Sequence, residues 1–253
     1  MTKLIDFHAH ILPGLDDGIQ NFEDAEKVVA EARKAGFEKI ICTTHYSNYF
    51  TENEKKRKEV LCELSKRTDG VELLLGNELY SKTNLIEALR LGEASTLAGS
   101  KYVLFEMPLH KENPEFENLV IDFMSNGYRP VLAHPERYVV FQNDPERIYE
   151  MLELGVLLQM NYMSVDEFYG SKCKWLAELL LRHNMISFLG TDVHRTKDFY
   201  PNVKKAKRDI VRIVGEEKFD ELSCANPERV CADEDVELPE WTRFEKGWFG
   251  KIK

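Results

Sequence analysis

Leu4-Ile5-Asp6-Phe7-His8-Ala9-His10 is a strand-like run that delivers two histidines to one side, because residues two apart in an extended chain point the same way. Six further β-rich runs follow, at residues 39–43, 71–75, 102–105, 130–133, 156–160 and 186–189. Several are apolar almost throughout, as Ile186-Ser187-Phe188-Leu189 is, which suits strands covered on both faces. Between them lie helical patterns at about 21–35, 52–68, 83–91, 115–125, 145–154, 172–183 and 203–214. Alternation of this kind predicts βα units around a parallel sheet. Asn21 and Asp144-Pro145 mark helix starts, with Asp144 as a capping acid, and Gly36, Gly127 and Gly155 mark helix ends.

In parallel α/β folds, ligands bind at the carboxyl ends of the strands, so the residues that follow each run carry the functional information. They are His8 and His10, His45, Glu78, Glu106, His134, Asn161, then Asp192 and His194. A single His-x-His pair is as often structural as functional. Imidazoles and carboxylates at six of seven strand ends are a metal-ligand pattern. A donor set without thiolate suits Mn, Fe or Zn and disfavours a thiol-rich structural zinc site. Cys42 falls inside the second strand and reads as core. His110 and His183 read as structural, the latter closing a helix where a cation is favoured.

Bulk properties agree with an enzyme. The 253 residues can bury one barrel-sized core, and 43% hydrophobic with 31% charged residues is ordinary for a globular protein. A net charge of −10 argues against nucleic-acid binding, while bound cations can still make an anion site within an acidic protein. No apolar stretch approaches a membrane span, residues 1–8 show no leader, and five cysteines lack paired spacing. Those features point to the cytoplasm. A single domain over 1–253 is expected, with an extension from about 224 packed on its outside. That extension holds Trp241, Trp248 and the basic end Lys251-Ile252-Lys253.

Asp6-Phe7-His8-Ala9-His10-Ile11-Leu12-Pro13-Gly14-Leu15-Asp16-Asp17-Gly18 resembles the opening of bacterial polymerase-and-histidinol-phosphatase (PHP) proteins. More narrowly, it is similar to the PHP tyrosine-protein phosphatases encoded with capsule and exopolysaccharide genes. Thr44-His45-Tyr46, Gly76-Asn77-Glu78-Leu79, Leu132-Ala133-His134-Pro135-Glu136-Arg137-Tyr138 and Gly190-Thr191-Asp192-Val193-His194 match further motifs in order, over roughly the first 230 residues. The resemblance implies a distorted seven-stranded (β/α)7 TIM-like barrel, the PHP fold, with three divalent ions, commonly Mn2+. It implies a first ion on His8, His10, Glu78 and Asp192, a second on Glu78, Glu106 and His134, and a third on Asp17, His45 and His194. Asp17 enters only through the resemblance. The relatives carry an arginine a few residues after His194, where this chain reads Thr196-Lys197-Asp198-Phe199, so Arg195 is the nearest substitute. The segment 159–165 also departs from the relatives, which have a glycine there.

The reaction these features imply is hydrolysis of phosphotyrosine by a metal-bridging hydroxide, on the tyrosine-phosphorylated tail of a bacterial kinase that controls polysaccharide export. Arg137 is the candidate for gripping phosphate, since guanidinium can hold two of its oxygens. Arg195 is the second candidate. Tyr46, Tyr49, Phe50, Tyr138 and Tyr162 are expected to rim the pocket mouth. A Cys-x5-Arg nucleophile loop is absent, Cys224 and Arg229 being one residue too close. The alternatives are a small-molecule PHP phosphoesterase such as a histidinol-phosphate phosphatase, an amidohydrolase, and a catalytically silent scaffold. The first shares the metal chemistry. The second would bridge its ions with a lysine, where Glu78 and Glu106 stand. The third would have lost ligands.

Overall fold

The computed structural model describes residues 3–80, 84–197 and 199–245. Seven strands, β1 (Leu4–Ala9), β2 (Phe37–Tyr46), β3 (Glu72–Tyr80), β4 (Tyr102–Glu106), β5 (Arg129–Ala133), β6 (Leu157–Asn161) and β7 (Phe188–Gly190), form one sheet. They lie in chain order and every neighbouring pair is parallel. The sheet curls until its ends meet. Ala9 bridges Val193, the Asp192 N–H donates to the His8 carbonyl at 2.7 Å, and the His10 N–H to the Val193 carbonyl at 3.0 Å. The result is a nearly closed α/β barrel.

Ten helices among the described residues wrap it: α1 (Phe22–Ala35), α2 (Glu54–Arg67), α3 (Leu85–Leu91), α4 (Phe116–Ser125), α5 (Val139–Asn143), α6 (Ile148–Glu153), α7 (Ser171–Arg182), α8 (Tyr200–Val214), α9 (Glu216–Asp220) and α10 (Asn226–Cys231). Asn21 caps α1 by accepting from the Asp24 N–H at 2.9 Å, and Gly36, at φ 101°, ends it as expected. Asp144 makes no side-chain cap bond. Pro145–Arg147 forms a 3-10 turn before α6, so the helix expected from 145 starts later. Of the helix expected over 83–91, Thr83 lies outside the described residues.

Strands β2 and β3 outrun their apolar stretches. They stay in register through Thr44 opposite Asn77 and His45 opposite Glu78, so backbone pairing carries the polar residues onto the barrel. Inside, Phe7, Ile41, Tyr102, Leu104, Val131, Leu157 and Phe188 pack with Val236. Phe7 and Phe188 stack with ring centroids 4.1 Å apart across the closure. The other strand faces meet the helices in a larger apolar layer.

After α10 the chain runs as a strap along the barrel end opposite the histidines. The Tyr102 hydroxyl donates to the Glu234 carbonyl at 2.9 Å and accepts from the Val236 N–H at 2.7 Å, which seats Val236 in the barrel interior. Further on, Trp241 stacks on Tyr149, and the Phe244 N–H donates to the Tyr149 hydroxyl at 2.6 Å. Trp248 and Lys251–Lys253 lie outside the described residues.

Candidate metal centre

The eight strand-end imidazoles and carboxylates converge at the carboxyl end of the barrel, with Asp17 beside them from the loop after β1. His8 and His10 point inward from β1 with their Nε2 atoms 2.9 Å apart. Glu78 Oε2 lies 3.3 Å from each, and Asp192 Oδ1 lies 3.5 Å from His8 Nε2 and 3.6 Å from His10 Nε2. His45 Nδ1 lies 3.1 Å from Glu78 Oε2 and 3.2 Å from Glu106 Oε1. His134 Nε2 approaches Glu78 Oε1 at 3.0 Å and Glu106 Oε2 at 3.9 Å. Asp17 Oδ1, on the outer rim, is 3.5 Å from His45 Nε2 and 3.6 Å from His194 Nε2. Among the described residues, three groups have ligand atoms all within 4.8 Å of one another: His8, His10, Glu78 and Asp192; His45, Glu78 and Glu106; His10, His45 and His194.

The side chains behind the site explain what that convergence asks for. Asp192 Oδ2 accepts from Asn161 Nδ2 at 2.8 Å, and Asn161 Oδ1 accepts from Gln159 Nε2 at 3.0 Å. Gln159 Oε1 is thereby turned to His8 Nδ1, 2.7 Å away, which places that imidazole's proton on Nδ1. Asp16 Oδ2 does the same for His10 Nδ1 at 2.7 Å, and also accepts from the His45 N–H at 2.9 Å. Both Nε2 atoms then present lone pairs to the same point as two carboxylates. Glu78 Oε2, buried there, has no hydrogen-bond partner. A buried carboxylate oxygen that makes no hydrogen bond, facing converging imidazole nitrogens, is unfavourable unless positive charge fills the space between them. The donor set therefore fits divalent metal ions.

Electrostatics say the same thing. Burial opposes charge on His45, as does His10 beside it, yet Glu78 and Glu106 push its pKa up to about 9. Burial also works against ionised Asp192, and His8 and Arg137 outweigh it, holding the carboxyl below the usual range. Asp16, deeply buried, is held down to about 2 by His10. The pocket stabilises positive charge at its centre.

His134 and Asp192 adopt left-handed backbone conformations, at φ 35° and 55°, rare outside glycine. Strain of this kind at strand ends accompanies functional placement of side chains. Asp6, wholly buried, ties the β1 start to the loop after β7, accepting from the Thr191 N–H at 2.8 Å and the Tyr200 hydroxyl at 2.6 Å.

Arg137 donates to Asp192 Oδ2 at 2.6 Å and lies over the Tyr169 ring at 4.6 Å. It lines a cleft of about 680 Å³ together with Asp17, His194, Arg195, Lys197 and three aromatic side chains. Arg195 is exposed on the rim. The aromatics are Phe168, Tyr169 and Phe199, and their rings meet edge to face. Sequence reasoning placed other rings at this mouth. Tyr138 and Tyr162 are in fact fully buried, the Tyr138 hydroxyl accepting from the Met107 N–H at 3.0 Å. A hydroxyl-bearing ring on a loop next to a ligand turns inward as readily as outward. Of the others, Phe50 stacks on His45, Tyr46 donates to Glu93 and Tyr49 is exposed. Asp16 and Gln159 were also missed. The Asp16-Asp17 doublet was the available signal for the first, and Gln159 had none.

A nearly closed parallel barrel with imidazoles and carboxylates converging at its carboxyl end is that of the metal-dependent hydrolases. Residues 4–232 match the family model described as capsular polysaccharide synthesis, CpsB/CapC, and the chain belongs to that family. It is 28% identical over 241 residues to the tyrosine-protein phosphatase CpsB of Streptococcus pneumoniae, covering 91% of this chain and 99% of that one. It is 31% identical over 199 residues to the tyrosine-protein phosphatase YwqE of Bacillus subtilis (strain 168), covering 77% and 78%. A crystal structure from the work on YwqE and S. pneumoniae CpsB, described as unique metal-dependent tyrosine phosphatases, superposes with a TM-score of 0.87 at 26% identity. It covers 95% of this chain and all of that one.

Proposed function

We propose that this chain is a metal-dependent protein-tyrosine phosphatase acting on the tyrosine-phosphorylated tail of a bacterial kinase in capsule or exopolysaccharide synthesis. The observation that carries the chemistry is the buried, unbonded Glu78 Oε2 among converging imidazoles; the names of its relatives support phosphotyrosine as the group hydrolysed. We assign three divalent ions, Mn2+ first and Fe or Zn next, to the site. One is held by His8, His10, Glu78 and Asp192, one by Glu78, Glu106 and His134, and one by Asp17, His45 and His194. Bound there, such ions acidify water to a nucleophile at neutral pH and offset the charge of a phosphoryl group.

The chain's own residues do the rest. Asp16 and Gln159 keep His10 and His8 in the tautomers that offer Nε2 inward. Asp192 and Tyr169 hold the Arg137 guanidinium at the cleft, where its remaining N–H groups grip phosphate oxygens. Arg195 adds positive charge from the rim. A tyrosine leaving group, with a pKa near 10, needs little acid assistance. No cysteine lines the cleft. Cys42 is fully buried, and burial pushes the Cys173 thiol up to about 12, so neither supplies a thiolate. All five cysteines are free and no helix among the described residues is long and apolar enough to cross a membrane, which supports a cytoplasmic site of action.

The decisive experiment compares turnover of a phosphotyrosine peptide and of histidinol phosphate by metal-stripped and Mn2+-restored protein. Restoration should return at least about 100-fold in peptide turnover, with the peptide preferred. Equal activity of stripped protein rejects the metal mechanism, and preference for histidinol phosphate rejects the tyrosine assignment. Arg137→Ala should raise KM for the peptide about tenfold or more, with metal content unchanged by elemental analysis. Loss of metal in that variant would mean its bond to Asp192 is what matters.

A further inference from the structure

Charge is unevenly spread over this acidic chain. Between residues 195 and 212 the sequence carries seven Lys or Arg against two Asp, in a protein of net charge −10. The segment begins at the mouth of the catalytic cleft, where Arg195, Lys197 and Phe199 form part of the wall, and continues directly into α8 from Tyr200. Three of its cations are neutralised locally: Lys205 by Asp166 and Asp209, Lys207 by Glu216, and Arg212 by Asp209. Arg195, Lys197, Lys204 and Arg208 are exposed and have no ion-pair partner among the described residues. Lys204 and Arg208, four apart, share one face of the helix. The second lies about 6 Å further from the cleft along the axis.

We propose that this strip, from Arg195 and Lys197 along α8 to Lys204 and Arg208, is a docking surface for an acidic segment of the substrate protein flanking its phosphotyrosine. The inference rests on the phosphotyrosine reading above and adds what the substrate must look like beyond the phosphate. Exposed cations without an ion-pair partner among the described residues, in a chain of net charge −10, attract a negative segment and repel nothing in it. Continuity with the cleft makes the attraction productive, since a peptide held on the strip presents its neighbouring residue to Arg137. Helix α8 is about 22 Å long, the span of roughly seven extended residues, so acids within that distance of the phosphotyrosine are the ones read. A membrane surface fits less well. The exposed positions of α8 are Pro201, Lys204, Lys205, Arg208 and Arg212, with no large apolar side chain to insert among headgroups.

The test uses full-length, Mn2+-loaded protein and two phosphotyrosine peptides of equal length, one flanked by glutamates and one by glutamines. At low salt, about 20 mM, the acidic peptide should show kcat/KM about tenfold higher, mostly through KM. The ratio should fall towards one at about 0.3 M NaCl, where screening is short-ranged. Lys204→Glu with Arg208→Glu should erase the preference while turnover of p-nitrophenyl phosphate, which reaches only the cleft, is retained. Equal kcat/KM for the two peptides overturns the proposal, as does a double variant that slows both peptides and p-nitrophenyl phosphate alike. Binding to phosphatidylserine vesicles that the double variant abolishes, without any peptide preference, reassigns the strip to a membrane. If neither peptide is hydrolysed while histidinol phosphate is, the phosphotyrosine reading falls and takes this one with it.

Discussion

Glu78→Gln should lower kcat for a phosphotyrosine peptide by about 10³-fold or more and release at least one equivalent of bound metal. The substitution keeps the shape of the side chain and removes its charge. Both Glu78 oxygens face imidazoles, Oε2 towards His8, His10 and His45 and Oε1 towards His134. With only protein charges present, burial disfavours the ionised form, and the surrounding histidines, His8 first, hold the carboxyl well below the usual range. A glutamine there offers one neutral oxygen and an N–H2 aimed at lone pairs, so under the proposed assignment the metal centre would lose an anionic ligand. Elemental analysis beside steady-state kinetics separates the outcomes. Full metal content with unchanged kcat would remove Glu78 from the centre of the site.

Gly190→Ala is expected to be nearly as damaging without altering a single candidate ligand. A Cβ on Gly190 would sit 2.6 Å from His8 Cβ and 3.0 Å from both the His8 nitrogen and Gln159 Nε2. Two of those atoms belong to the β1 backbone and its first side-chain carbon, which cannot swing aside. The barrel closes here, so β1 and β7 must part or His8 must tilt. Overpacking of this kind costs about 1–3 kcal/mol of stability. Displacing His8 from Gln159 should weaken metal affinity by about 10–100-fold, as loss of a ligand's supporting bond does. Thermal unfolding with and without Mn2+ checks both parts. A variant with wild-type melting temperature and metal affinity would show that the closure is looser than its contacts imply.

How far the site could be read from sequence depended on whether a residue's role is local. His8 and His10 announce themselves because alternation in a strand is a property of two neighbours. Glu78, Glu106 and His134 followed once strand ends were located, and the strands were visible as apolar runs. His45 and Glu78 nevertheless sit within strands that apolarity alone ends too early, since backbone pairing takes no account of side-chain polarity. Gln159 fixes the proton of His8 across 151 residues of chain, and no spacing rule reaches that far. The aromatic wall of Phe168, Tyr169 and Phe199 lay hidden for a related reason. Whether a loop ring faces in or out is decided by what packs against it, and Tyr138 and Tyr162 were drawn inward by hydroxyl and ring contacts with distant elements.

The strap that seats Val236 has a consequence for the order in which the molecule can be completed. All seven strands are synthesised before it, yet the apolar side chains lining the barrel's interior stay open at one end until residue 236 has left the ribosome. The apolar cluster that Phe7 begins, in the first strand, is thus completed by a valine 229 residues further along the chain. A nascent chain stalled shortly before that point would hold a formed catalytic rim above an unsealed apolar well, the kind of surface chaperones bind. The two ends of this barrel are therefore finished at different times: ligands first, floor last.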